Sequence, residues 1–259
     1  MASLTFLGTG PGVPLPGRNQ TAILLQAHGH HALVDAGEPC SRALRELGVP
    51  FGAIGAVFVT HGHSDHIGGL PMFLQSCWVE GREEPLQIHL PGELITPLRA
   101  WLEAVYLPVD QLDFPITFLP WEAGRMVEVI GLRVIPQPTT HLDSLRKRFA
   151  PAAADRFHAY SIEVGWAGVR VVISGDLGVP SDLDSQLAAP VDLLACELSH
   201  FSAETLCDYL AGHSIRRLAL THLGPTQRAN AHRVIRLVRE RLPRIESIFD
   251  PSDGHQVEF

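Results

Sequence analysis

Short apolar runs alternate with longer amphipathic stretches along the chain. Leu4–Leu7, Ala22–Gln26 and His31–Asp35 have the length and composition of strands, and Pro39–Leu47 reads as a helix. Ala56–Val59 is a buried strand of small and branched residues ending at Thr60 and His61. The pattern then predicts a helix over Gly69–Val79, a strand at Leu86–His89, a helix over Gly92–Tyr106, and strands at Ile116–Leu119 and Leu132–Ile135. After His141 the chain turns irregular and basic, through Arg146, Lys147, Arg148 and Arg156. Strands resume at Tyr160–Val164, Val169–Ser174 and Leu193–Glu197. A helix at Ala203–Ala211, a strand at Leu218–Thr221, a helix at Arg228–Arg241 and a short strand near Ile248 close the chain.

Strands dominate each half and helices punctuate them. This predicts an α/β protein: two mixed β-sheets packed together with helices outside, a four-layer αββα sandwich. No Gly/Ser linker, repeat or low-complexity run divides the chain, and the sole biased stretch is Pro151-Ala-Ala-Ala. With 259 residues, near the upper limit for one hydrophobic core, 1–259 is expected to be a single domain.

Composition narrows the function classes. A net charge of −8 weighs against stable binding of a long polyanion, which rests on clustered Lys and Arg, but not against a small phosphate ester. The four cysteines (Cys40, Cys77, Cys196, Cys207) form no CxxC pair, which speaks against a disulfide framework or a Cys-type zinc site. No signal segment or long apolar span is visible, so a soluble cytoplasmic protein that engages no membrane is expected.

Fourteen histidines are many, and three fall within THGHSDHIGG, residues 60 to 69. His61 and His63 are two apart, as in an extended segment or tight turn rather than on one helix face. Asp65 and His66 follow, and adjacent turn residues point in different directions. One loop could therefore serve two neighbouring metals, His61 and His63 for one, Asp65 and His66 for the other. Imidazole and carboxylate donors suit zinc, and also iron or manganese. A histidine-rich surface turn is the plain alternative, and the position directly after a buried strand argues against it.

This stretch resembles the HxHxDH signature of the metallo-β-lactamase superfamily, whose fold is the four-layer sandwich expected above. The superfamily pattern continues with a His, an Asp and a His at strand ends, and the chain supplies PTTH with His141, SGD with Asp176 and LTH with His222. The resemblance implies that His61, His63 and His141 hold one divalent metal, that Asp65, His66 and His222 hold a second, and that Asp176 bridges them. FLGTGPGVPLPGRNQTAILL is similar to the opening of the ribonuclease Z group and its small phosphodiesterase relatives, through Gly8, Thr9, Pro14, Arg18 and Asn19. LVDAGE resembles that group's DCGEG, which would make Asp35 a residue that orients a ligand histidine from behind. In CELSHFSAETLCDYLAGHS, Glu197 and His213 are read as the group's cooperating Glu and His, while His200 is set aside.

What the resemblance implies is a dinuclear metal-dependent phosphodiesterase acting on a small phosphodiester or cyclic nucleotide. A hydroxide shared by the metals would attack phosphorus, Asp65 would help orient it, and His213, held by Glu197, would assist the leaving oxygen. Alternatives are a lactone or thioester hydrolase of the same superfamily, a tRNA 3′-end endoribonuclease, and a metal-binding module without catalysis. Ribonuclease Z proper carries a tRNA-gripping arm just before SGD, and GWAGVRVVIS leaves it no room. A related cyclic-phosphate phosphodiesterase has a cysteine-type zinc motif that is absent here. The 142–159 insertion could form a lid, with Arg146, Lys147 and Arg148 meeting a phosphate. A homodimer is common in the superfamily.

Overall fold

The computed structural model describes residues 2–150, 152 and 155–259. Pro151, Ala153 and Ala154 lie outside the described residues, and with them most of the Pro-Ala stretch. The chain divides into two compact units, one formed by Met1–Trp121, Val129–Gly131 and Ser252–Phe259, the other by Glu122–Glu128 and Leu132–Pro251.

Numbered along the chain, the first unit carries β1 (Ser3–Gly8), β2 (Ala22–Ala27), β3 (His30–Val34), β4 (Ile54–Phe58), β5 (Leu86–Leu90) and β6 (Ile116–Pro120). The last strand of the chain, β14 (Gln256–Glu258), joins them in a seven-stranded sheet ordered β14-β1-β2-β3-β4-β5-β6. Pairing is antiparallel from β14 to β3 and parallel from β3 to β6. The parallel strands are apolar almost throughout (AVF in β4, a buried IHL in β5), as strands covered on both faces are. Helices α1 (Cys40–Glu46), α2 (Ser64–Ile67), α3 (Leu70–Val79) and α4 (Ile95–Ala104) connect them. Leu33, Leu44, Val57, Phe73, Leu74 and Ile88 lie at the centre of this unit's core.

The second sheet is built to the same plan, ordered β13-β12-β11-β10-β9-β8-β7. Its strands are β7 (Val127–Val129), β8 (Leu132–Thr139), β9 (Ala159–Trp166), β10 (Val169–Ile173), β11 (Val191–Leu198), β12 (Ile215–Leu223) and β13 (Ser247–Phe249). Pairing is antiparallel from β8 to β10 and parallel from β10 to β13. Helices α6 (Asp184–Leu187), α7 (Ala203–Leu210), α8 (Pro225–Ala229) and α9 (Ala231–Arg241) follow β10, β11 and β12. Ser202 caps α7 by accepting the Thr205 N–H at 3.1 Å. The expectation of two mixed sheets with helices against them is met.

One segment departs from expectation. Asp143–Phe149, read as irregular, is helix α5. Asp143 in its first turn pairs with Arg146 at 2.6 Å, and Arg146, Lys147 and Arg148 occupy its last turn, where the helix dipole favours cations. The run of basic residues masked a short helix whose charges are placed to support it. Among the described residues, no helix is long and apolar enough to cross a membrane.

Candidate metal centre

In the first unit the candidate ligands follow the carboxyl end of parallel strand β4, where open α/β sheets bind ligands; in the second, His141 follows the antiparallel strand β8, Asp176 follows β10, and His222 lies near the end of β12. In the first unit, β3 leads into Asp35 and β4 leads into Val59, Thr60 and His61. Asp35 is buried, with a left-handed φ of 58°, and its N–H bonds Phe58 O at 2.9 Å. Its Oδ1 accepts Thr60 N–H at 2.8 Å, and Oδ2 lies 2.7 Å from His66 Nδ1. The Thr60 hydroxyl is 2.9 and 3.0 Å from the same two oxygens. Asp35 therefore fixes the His66 ring through Nδ1 and turns Nε2 toward Asp65, whose Oδ2 is 3.4 Å away. The backbone at His63 is extended (φ −67°, ψ 148°), as the i, i+2 spacing required, and α2 begins at Ser64. His61 Nε2 and His63 Nδ1 lie 3.0 Å apart. Gly37 makes the turn behind this loop possible: a Cβ there would stand 2.3 Å from Asp65 O and 2.7 Å from Thr21 O.

In the second unit, β8 delivers His141, β10 leads through Gly175 to Asp176, and β12 carries His222. His141 Nε2 is 3.5 Å from Asp176 Oδ2, and His222 Nε2 is 3.6 Å from Asp176 Oδ1. The turns are fastened together. Thr139 Oγ1 donates to Asp176 O at 2.9 Å. Asp182 accepts the N–H groups of Thr140 at 3.0 Å and Gly178 at 2.9 Å, clamping the turn that bears His141 to the one that bears Asp176. A Cβ on Gly178 would fall 2.2 Å from Thr140 Oγ1, so this approach requires glycine.

The donor set and its spacing fit a metal. Ligand atoms 2.0–2.1 Å from a tetrahedral zinc stand roughly 3.3 Å from one another. The four pairs above span 3.0 to 3.6 Å. At 3.4–3.6 Å a nitrogen and a carboxylate oxygen are too far apart for a good hydrogen bond but well placed to share an ion. His61, His63, Asp65 and His66 in one unit, and His141, Asp176 and His222 in the other, are of metal-ligand type. Burial pushes the Cys40 thiol up to about 12 and the Cys196 thiol well above its ordinary value.

The expected Glu197–His213 pair is not formed. Glu197 lies opposite Thr221, at the His222 end of β11 and β12, whereas Val191 lies opposite Ile215 at the other end. Six residues of strand, about 20 Å, separate the two ends. His213 stands beside Leu187 O at 3.2 Å and against the Tyr209 ring at 4.7 Å. The partner of Glu197 is His200, whose Nδ1 is 2.8 Å from Oε1. The Glu197 carboxylate also accepts Leu177 N–H at 3.0 Å and Ser199 N–H at 2.6 Å, which anchors it at the base of the site. The His200 ring lies 4.6 Å from that of His141 and 6.2 Å, stacked, from that of His222. The signal available in the sequence was E-x-x-H at the end of a strand, just before a capped helix. Asp182 was also missed, and GVPSDLD carries no pattern that marks it out from Asp184.

The fold and these ligand sets define a metal-dependent hydrolase with the metallo-β-lactamase fold. The family model of Anti-Pycsar protein Apyc1 matches residues 2–240, and the chain belongs to that family. Ribonuclease Z of Methanothermobacter thermautotrophicus is 29% identical over an alignment of 270 positions, covering 86% of this chain and 87% of that protein. Among solved structures, the metallo-β-lactamase fold protein YhfI from Bacillus subtilis superposes with a TM-score of 0.79 at 16% identity, over 99% of this chain and 98% of that one. The short form of human tRNase Z gives 0.74 at 20%, over 99% and 98%. A diphosphatase from the PhnP family gives 0.71 at 17%, over 100% and 98%. The ribonuclease Z-like character expected from the motifs therefore holds.

Proposed function

We propose that the chain hydrolyses a small phosphodiester or cyclic nucleotide with two divalent ions, zinc being the best match to the donors and manganese or iron also fitting. His61, His63 and His141 would hold one ion, Asp65, His66 and His222 the other, with Asp176 shared. Bound there, the ions would supply an activated water and positive charge for the phosphate oxygens. The chain's own residues do the rest. Asp35 holds Nδ1 of His66, so Nε2 would be the ligand atom. Asp65 would be a ligand and would also help to orient the attacking oxygen. Glu197 holds Nδ1 of His200 and so orients the ring, from which a proton would pass to the departing alkoxide.

The observation that carries this reading is the Glu197–His200 pair beside His141, an oriented proton donor of the kind an alkoxide leaving group needs. A tRNA 3′-end endoribonuclease is a second reading, favoured by the name of the relative. Against it, β9 and β10 are joined by Ala167 and Gly168 alone, at φ 43° and 86°, a tight hairpin where a tRNA-gripping arm would have to be inserted. The four cysteines, all buried thiols, fit a reducing, cytoplasmic setting.

The test is hydrolysis of bis(p-nitrophenyl) phosphate and 2′,3′-cyclic AMP, beside a thioester and a pre-tRNA, by metal-loaded wild type, His200→Ala and His213→Ala, with metal content measured on each. His200→Ala is expected to keep its metal and lose roughly 10²-fold or more in rate. His213→Ala, far from the site, should change the rate by less than about threefold. Full activity in His200→Ala, or a preference for the thioester, would overturn the reading.

A further inference from the structure

The basic stretch after His141 offered three cations for substrate, and the structure separates them. Arg146 is held by Asp143 at 2.6 Å, and the Arg148 guanidinium lies over the Phe149 ring, 4.9 Å from its centroid. Lys147 instead lines a cavity of about 440 Å3 that it shares with Ser144, His141 and His200. Ser144 and Lys147 are three apart on α5, hence on one helix face. Two other polar groups of the wall are committed to the fold: the Thr140 hydroxyl to Asp182 and the Asp143 carboxylate to Arg146. The groups left to meet a ligand from α5 are a hydroxyl and an ammonium. Among the described residues no Phe, Tyr or Trp lines the cavity, so no such ring is offered there to a nucleobase.

We propose that Ser144 and Lys147 form a subsite for the sugar-phosphate arm of the substrate, in which Lys147 meets a phosphoryl oxygen and Ser144 a neighbouring sugar hydroxyl. The inference rests on the phosphodiesterase reading above and adds that α5 selects anionic, polyhydroxylated esters over neutral or apolar ones. Lys147, as a compact point charge, suits a phosphate that turns over rather than one clamped in place.

The probe is AMP, a nucleoside monophosphate that needs no turnover, titrated calorimetrically into the metal-loaded protein at low salt, with adenosine as the uncharged control. Lys147→Glu is expected to weaken AMP binding by about tenfold or more, the loss of a charge-assisted contact. Lys147→Gln should weaken it less, and it serves if the charge reversal fails to fold. Arg148→Glu makes the same change of charge one residue on and should weaken binding by less than about threefold, its effect being only that of a screened field. Equal effects of Lys147→Glu and Arg148→Glu, no effect of either, or a wild type that does not bind AMP would overturn the subsite. AMP binding that depends on Lys147 in a protein that hydrolyses no phosphodiester would instead uphold the subsite and overturn the phosphodiesterase reading.

Discussion

Asp35 is the residue on which the first unit's candidate ligands depend most, although it is proposed to touch no metal. It is buried, and it accepts from the Thr60 backbone while holding His66 Nδ1. Truncation would remove the acceptor for both groups and free the His66 ring to rotate. Asp35→Ala should weaken zinc binding about 10–100-fold, the usual cost of losing the partner of a ligand histidine. It should also lower the stability of the metal-free protein by about 2–4 kcal/mol, since buried donors are left without an acceptor. Competition with a chromophoric chelator and urea titrations measure the two effects, and a zinc affinity equal to wild type would rule out the assigned role. Asp35 was legible because it ends a strand in a recognisable LVDAG. His200 was not, because GHS looked like a better motif than SHF, and only the register of β11 against β12 shows which histidine is within reach of Glu197.

At the level of elements, most strands of both sheets were legible as short apolar runs, with ends that shift by a residue or two in most of them and by three or four in β12 and β8. Helix α5 was not, since charge density alone reads as loop, and neither were β7 and β14, three-residue strands too short to show a period. The apolar run of β5 concealed a different feature. His89 sits within it, 4% exposed, stacked on Trp121 at 5.0 Å and 5.6 Å from the Phe58 ring. Burial lowers its pKa from 6.5 to about 4. The folded protein thus keeps His89 neutral where the unfolded chain protonates it. The stability this confers is fully present above pH 6.5 and is lost as pH falls toward 4, up to ~3 kcal/mol for a shift of this size. Replacing His89 with Phe, which suits the ring stack, should flatten the dependence of unfolding free energy on pH across that window in metal-free protein. Wild type and variant with parallel pH profiles would show that His89 does not supply the slope.

Across the molecule, the first unit is completed from the far end of the sequence. β14 pairs with β1, Gly254 N–H bonds Phe6 O at 2.7 Å, and Phe6 N–H bonds His255 O at 2.9 Å. Beside this seam Asp253 takes the Thr9 hydroxyl at 2.8 Å and the Asn19 N–H at 2.5 Å, so one carboxylate ties both ends of the loop 10–17. Arg18 reinforces the tie through Thr9 Oγ1 at 2.6 Å. The loop then passes so close to the candidate ligand Asp65 that a Cβ on Gly12 would stand 3.5 Å from its Oδ2. The G-T and R-N of the opening motif are therefore fastening points for a loop laid over the ligand-bearing turn. No local pattern could show this, because Thr9 and Asp253 are 244 positions apart, and a contact of that span carries a large loop-closure cost that only the finished sheet offsets. Asp253→Ala should cost about 2–4 kcal/mol, since two hydrogen bonds to a carboxylate are lost. The loss should be local. Amide exchange should quicken across residues 9–20 while β3 and β4 stay protected, because their hydrogen bonds do not pass through Asp253. Exchange that rose equally in β3 and β4 would mean that Asp253 supports the whole sheet, and undiminished protection of residues 9–20 would mean that the loop is held without it.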